Sequence, residues 1–286
     1  MAVVAPSGPV DPDRLSRGVE LLTGWGLEVQ VGDHVLARTR HHAGTDPERA
    51  ADLEDAWADP AVRAVLCARG GSGSARLLDR LDWARMRAAG PKVLVGSSDI
   101  TVLQQAVARH LGLSSLFGPM PASVVLAGPT PDPETIEHLR LSLFEPEKVR
   151  VFSGATAVVP GTASGPTAGG TLTLLANTVG TPEARPAAGA IVLLEDVAEP
   201  AYRIDAMLTQ LLRTGWFDGV RGIALGSWTN CRDGAAETVV ERLAPLGVPL
   251  VTGFSFGHCS PQMTVPWGVP AELDADTLTF VEPGLA

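Results

Sequence analysis

The sequence predicts an α/β protein in two parts. A parallel sheet with crossover helices comes first, a smaller mixed β/α part follows, and the chemistry lies between them. Three observations carry this. Over the first half of the chain, short apolar runs alternate with stretches of helical spacing, the pattern of βαβ units. Near Lys148 the texture shifts to short strand signals and Gly/Thr-rich turns. Finally, 286 residues with 45% hydrophobic content suffice for two ordinary cores or one large one.

Taken in order, residues 2–5 form an apolar strand and Ser7-Gly8-Pro9 turns it into a helix over 11–25, with Leu15, Val19, Leu22 and Trp25 on one face. Residues 27–31 read as the next strand. Asp46-Pro47-Glu48 opens a helix running to about Ala58, with Pro at the first helical position and acids in the first turn. The strand at 62–68 ends in Arg69-Gly70-Gly71-Ser72-Gly73, and 75–81 turn helical. Val93, Leu94 and Val95 form a buried strand; from Asp99 the period changes, with Ile100, Leu103, Val107 and Leu111 on one helical face. Residues 115–117 make a strand and 133–143 a helix. The domain boundary falls near 145–165, giving domains over 1–150 and 160–286. In the second, 149–152 and 157–160 are short strands, and 161–170 reads as further short strands and turns. Helices are expected over 172–179, 203–212 and 236–246, strands over 190–194 and 222–226, and a β-rich tail from Thr264.

Composition excludes several classes. A net charge of −10 without a basic run argues against nucleic acid. No apolar stretch is long enough for a membrane span, and the first residues lack the pattern of a secretory signal. Cys67, Cys231 and Cys259 are odd in number and show no CxxC spacing, which points to a reducing compartment and away from a zinc site. The expectation is a cytoplasmic protein without metal or other cofactor.

Three apolar runs lead into groups of chemical use. After Val95, Gly96-Ser97-Ser98 leaves only a tight turn before the helix, a geometry that lifts a hydroxyl clear of the sheet beside free helical N–H groups. The same turn is also what a simple N-cap requires, and it lacks the second glycine of G-x-S-x-G. The strand at 190–194 leads to Glu195-Asp196, and the run at 250–256 leads to Gly257-His258-Cys259. Hydroxyl, carboxylate and imidazole are the parts of an acyl-transfer triad, whatever their chain order. Cys259 as nucleophile ranks below Ser98, because sequence neighbours seldom aim at each other. The loop Gly70–Gly73 fits either a phosphate cradle or an oxyanion hole. His110 and His138 fall in helices, as expected of surface or internally satisfied histidines.

Ala68-Arg69-Gly70-Gly71-Ser72-Gly73, Gly96-Ser97-Ser98-Asp99-Ile100-Thr101, Leu194-Glu195-Asp196 with Tyr202-Arg203-Ile204-Asp205, and Phe256-Gly257-His258 occur in an order that resembles the L,D-carboxypeptidases. That family includes muramoyltetrapeptide carboxypeptidases and the hydrolases that give immunity to microcin C. The resemblance runs from Val3 to Gly268. It implies a two-domain homodimer, the first domain flavodoxin-like, with a Ser-Glu-His triad split between the domains. Ser98 then matches the nucleophile, Glu195 the acid that orients the imidazole, and His258 the base. Glu195 is preferred to Glu199 because it directly follows the apolar strand. The N–H of Asp99, with one from Gly70 or Gly71, matches the oxyanion hole. Arg69 and Arg203 are candidates for the substrate carboxylate, and either is equally compatible with a structural salt bridge. Ser72, Ser97 and Thr171 depart from residues common in the family, which bears on specificity. The implied reaction is removal of a terminal D-alanine from muropeptide tetrapeptides in peptidoglycan recycling. Alternatives are cleavage of a microcin C-type aminoacyl nucleotide, a non-catalytic muropeptide-binding protein, and a phosphate-binding domain built on the Gly70–Gly73 loop.

Overall fold

The computed structural model describes residues 1–232 and 234–285 of the chain, and its first part is built on strands whose side chains alternate between two buried faces. Its elements are β1 (Ala2–Val4), α1 (Pro12–Gly24), β2 (Gln30–Val31), α2 (Asp46–Ala58), β3 (Ala64–Cys67), α3 (Trp83–Ala88), β4 (Val93–Gly96), α4 (Thr101–Leu111), β5 (Ser115–Phe117), α5 (Val124–Ala127) and α6 (Pro133–Phe144). Ala2, Val4, Val65, Cys67 and Leu94 face one way and pack against α2, α3 and α4 through Leu53, Trp57, Met86, Leu103 and Val107. Val3, Ala64, Leu66 and Val95 face the other way, against Leu15 and Leu22 of α1, Leu126 of α5 and Leu139 of α6. Period-2 side chains buried on both faces require helices on both sides, as in parallel α/β sheets. The pairs β1–β2, β1–β3, β3–β4 and β4–β5 are all parallel.

The second part contains β6 (Val151–Phe152), β7 (Thr156–Val159), β8 (Ala163–Thr171), α7 (Leu172–Asn177), β9 (Ile191–Val197), α8 (Ala201–Arg213), β10 (Gly222–Thr229), α9 (Ala235–Leu243), β11 (Leu250–Thr252), β12 (Val265–Trp267), β13 (Pro270–Leu273) and β14 (Leu278–Phe280). Its sheet runs β6-β14-β13-β8-β9-β10-β11-β7 and curls into a half-barrel. Val192, Leu194, Ile223 and Leu225 pack on α7, α8 and α9. Ile191, Leu193, Ala224 and Val251 face inward onto Phe254, Phe256 and Phe280. One strand crosses over: β12 pairs antiparallel with β5 and completes the first sheet, whose order is β12-β5-β4-β3-β1-β2.

Several elements differ from expectation. Residues 161–170 do not break into short strands and turns: Ala163–Thr171 is one nine-residue strand, paired with β9 and β13. The strand expected over 250–256 stops at Thr252, because Gly253 adopts φ +101°. The helix expected over 75–81 is a 3₁₀ turn at Ser74–Leu77, and the short helix α5 is additional.

Candidate active site

The turn after β4 is tight because Gly96 sits under Ile100; a Cβ there would lie 2.7 Å from Ile100 Cγ2. Ser98 follows with φ +61°, a conformation that a non-glycine residue adopts only when its surroundings enforce it. Asp99 provides the enforcement. Its buried Oδ2 accepts from Ser7 Oγ at 2.6 Å and from the Ser74 N–H at 2.8 Å, while its carbonyl accepts from Ser74 Oγ at 2.6 Å. Three loops, each beyond the carboxyl end of a strand, are thereby fixed to one carboxylate. Gly70 abuts the serine: a Cβ on it would lie 2.8 Å from Ser98 Cβ and 3.0 Å from Oγ. Beneath this loop, fully buried Arg49 donates to the carbonyls of Pro6 and Gly73 and to Asp46. Among the described residues, the N–H groups of Gly70, Gly71 and Asp99 have no protein acceptor. A hydroxyl on a strained turn beside free N–H donors has the components that acyl transfer uses.

The acid and the imidazole come from the half-barrel. Glu195 lies within β9, not beyond it, and is 0% exposed. Its Oε2 stands 2.7 Å from His258 Nδ1 and also accepts the His258 backbone N–H at 3.0 Å. A carboxylate only accepts, so Nδ1 carries the proton and Nε2 is left as the free base. Gly257, at φ +96°, makes room for this: a Cβ would lie 2.4 Å from Glu195 Oε2. Burial disfavours the charged imidazole, but the Glu195 charge, its hydrogen bond and the nearby Asp196 outweigh that. The His258 pKa is therefore raised above the ordinary 6.5.

A ladder of contacts joins the two halves. Gly170 presses its backbone on Thr101 at the start of α4, the Thr171 N–H donates to Thr101 Oγ1 at 3.2 Å, and Thr171 Oγ1 donates to Glu195 Oε1. Among the described residues no hydrogen bond joins Ser98 Oγ to the His258 ring. His258 opens on a cleft of about 560 Å³ whose walls include Ser97, Met120, Val124, Val125 and Gln262. Gln262 Nε2 donates to Ser97 Oγ at 3.5 Å, a long contact that ties the two walls.

Other candidates fall elsewhere. Arg69 is half-buried, donates to the Pro9 carbonyl at 2.8 Å and lies over Gly8 and Gly71. Arg203 is largely exposed and pairs with Glu199 at 3.0 Å, while the imidazole takes Glu195 as its acid. Neither arginine lines the His258 cleft. The Cys259 thiol donates to the Pro261 carbonyl at 3.1 Å, and burial pushes its pKa up. His138 accepts the Thr264 N–H, and burial pushes its pKa down to about 4, which marks it as structural. Among the described residues no cluster of three or more His, Cys, Asp or Glu could hold a metal ion, and no helix is long and apolar enough to cross a membrane.

Comparison with known proteins gives the family. Residues 1–118 match the family domain described as LD-carboxypeptidase N-terminal domain, and 164–273 match the LD-carboxypeptidase C-terminal domain. The chain belongs to the LD-carboxypeptidase family. A Streptomyces coelicolor protein with a provisional carboxypeptidase name is 56% identical over 100% of this chain and 94% of its own length. The murein tetrapeptide carboxypeptidase of Pseudomonas aeruginosa is 35% identical over 98% of this chain and 94% of its own. The crystal structure of the muramoyltetrapeptide carboxypeptidase from Oxalobacter formigenes superposes with a TM-score of 0.84 at 30% identity, covering 97% of this chain and 96% of that one. The chain is therefore an enzyme of the serine carboxypeptidase type.

Proposed function

We propose that this carboxypeptidase removes the terminal D-alanine from muropeptide tetrapeptides during cell-wall recycling, through Ser98, His258 and Glu195. The observation that carries the reading is the fully buried Glu195 carboxylate holding both the ring Nδ1 and the backbone N–H of His258. A ring fixed at one nitrogen is a base aimed with the other. In this mechanism the substrate carbonyl settles beside Ser98, and the contact between its hydroxyl and Nε2 closes as it does so. The ring takes the Oγ proton while Oγ bonds to the carbonyl carbon. The N–H groups of Asp99 and of Gly70 or Gly71 receive the oxyanion. Imidazolium, stabilised by Glu195, returns its proton to the departing D-alanine amine, and water repeats the sequence to free the serine.

The wall formed by Met120, Val124 and Val125 offers an apolar surface to the aliphatic part of the substrate. We assign the substrate carboxylate to Arg69, which lies beside Gly71 in the loop that abuts Ser98, and not to Arg203, which is exposed and paired with Glu199. The enzyme is read as a cytoplasmic homodimer.

The test is mass spectrometry of a muropeptide tetrapeptide mixture before and after incubation. Loss of one D-alanine is expected. An unchanged mixture, with cleavage of a microcin C-type aminoacyl nucleotide instead, would overturn the substrate assignment in favour of the related immunity hydrolases. The pH profile gives a second check. The base must be neutral, and its pKa is raised, so kcat/KM falls with acidification from a midpoint above 6.5. A rate that stays flat well below that value would remove His258 as the base.

A further inference from the structure

We propose that Thr171 is a positioning residue of this site: its hydroxyl fixes the second oxygen of Glu195, and its backbone ties that acid to the helix that begins beside Ser98. The inference rests on the reading of Glu195, His258 and Ser98 given above and adds a fourth residue to it.

The sheet places Thr171 where this is possible. β8 and β9 run parallel, with Thr171 directly across from Glu195. Both are buried, Thr171 at 2% exposure and Glu195 at 0%. Two glycines bring the end of β8 this close. A Cβ on Gly169 (φ +115°) would lie 2.0 Å from the Leu193 carbonyl oxygen, and one on Gly170 (φ +125°) would lie 2.7 Å from Thr101 Oγ1. The next turn is pinned as well, because the N–H and the hydroxyl of Thr173 both donate to Asp196 Oδ2 at 2.8 Å. Residues 171–173 thus hold both acids of β9 while touching α4.

The division of labour at the carboxylate gives the role its content. Oε2 serves His258 alone, through its ring and its backbone. Oε1 accepts from Thr171 Oγ1. A buried carboxylate with one oxygen unpaired is costly and free to rotate about its last torsion. Rotation would carry Oε2 off the imidazole. The hydroxyl holds the carboxylate in one orientation and so keeps Oε2 on the ring.

The test compares Thr171→Val, which keeps the shape and loses the donor, with Thr171→Ser, which keeps the donor, using the full-length enzyme and the muropeptide tetrapeptide. For Thr171→Val, kcat is expected to fall about tenfold, with KM within about twofold, since a hydrogen bond to a charged group is lost away from the substrate. The acid limb of its pH profile is expected to move downward, because a carboxylate rotated off the imidazole stabilises the protonated ring less. Thr171→Ser is expected to restore both. A valine variant with wild-type kcat and limb, or a loss that serine does not repair, overturns the proposal. Should the valine variant not fold, Thr101→Val removes the other end of the tie and must itself lower kcat; unchanged kcat overturns the proposal too. Wild-type enzyme inert on the tetrapeptide would instead indict the functional reading on which this one is built.

Discussion

Replacing Ser98 with alanine lowers kcat/KM on the order of 10³-fold or more, while the melting temperature stays near that of the wild type. The two halves of this expectation have separate causes. The serine hydroxyl is the only atom lost, and covalent acyl transfer has no substitute for it; the remaining rate comes from binding and from the N–H donors. Stability is spared because Ser98 Oγ makes no hydrogen bond among the described residues and the side chain is only half-buried. The turn itself is held by Asp99, whose contacts to Ser7 and Ser74 remain. Ser97→Ala is the matched control: that neighbour is buried and meets only the long Gln262 contact, so its loss costs less than about tenfold. Near-normal turnover by the Ser98 variant, or an equal loss at Ser97, would remove Ser98 as nucleophile.

Gly257→Ala has the second-largest expected effect, although the added methyl touches neither substrate nor serine. Two costs coincide at this position. The backbone is at φ +96°, where an L side chain is strained by about 1–3 kcal/mol. The new Cβ would also lie 2.4 Å from Glu195 Oε2 and 2.6 Å from its Cγ. Glu195 is fully buried and cannot swing into solvent, so either the carboxylate or the His258 backbone must move. Either movement breaks the 2.7 Å contact that fixes the imidazole. Activity is expected to fall on the order of 10²- to 10³-fold, because loss of ring orientation costs nearly as much as loss of the base. Parallel rate and melting measurements on the purified variant check it; turnover within about threefold of wild type would show that the Glu195 contact does not govern the rate.

The sequence makes the first sheet and its serine turn legible for a physical reason. Leu94 and Val95 are buried on opposite faces with Val93 half-buried beside them, and the switch at Asp99 from strand to helical spacing is abrupt. Glu195 and His258 are nameable only as polar residues after apolar runs, and the first proves to lie inside its strand. What stays hidden is whatever depends on register. The strand Ala163–Thr171 is built from Ala, Ser, Gly, Pro and Thr, residues that read as short strands and turns until β9 and β13 pair with it. Thr171 meets Glu195 only because those two strands align there. Likewise Ser7 and Ser74 find Asp99 across 92 and 25 residues of chain, a meeting that no local pattern announces. Arg49, in the first turn of a charged helix, gives no hint that it ends fully buried under the glycine-rich loop.

The return of β12 to the first sheet carries a consequence for any attempt to take the molecule apart. Val265–Trp267 supplies the outer edge beside β5, and the Trp267 indole donates to the Gly169 carbonyl on the other side. A protease that nicks the stretch near residue 160 therefore releases nothing, because the late segment still bridges both sheets. A truncated gene ending at residue 150 would make a product with β5 bare along one side, an open invitation to self-association. Fragment work on this enzyme calls for co-production of the two pieces, each finishing the other.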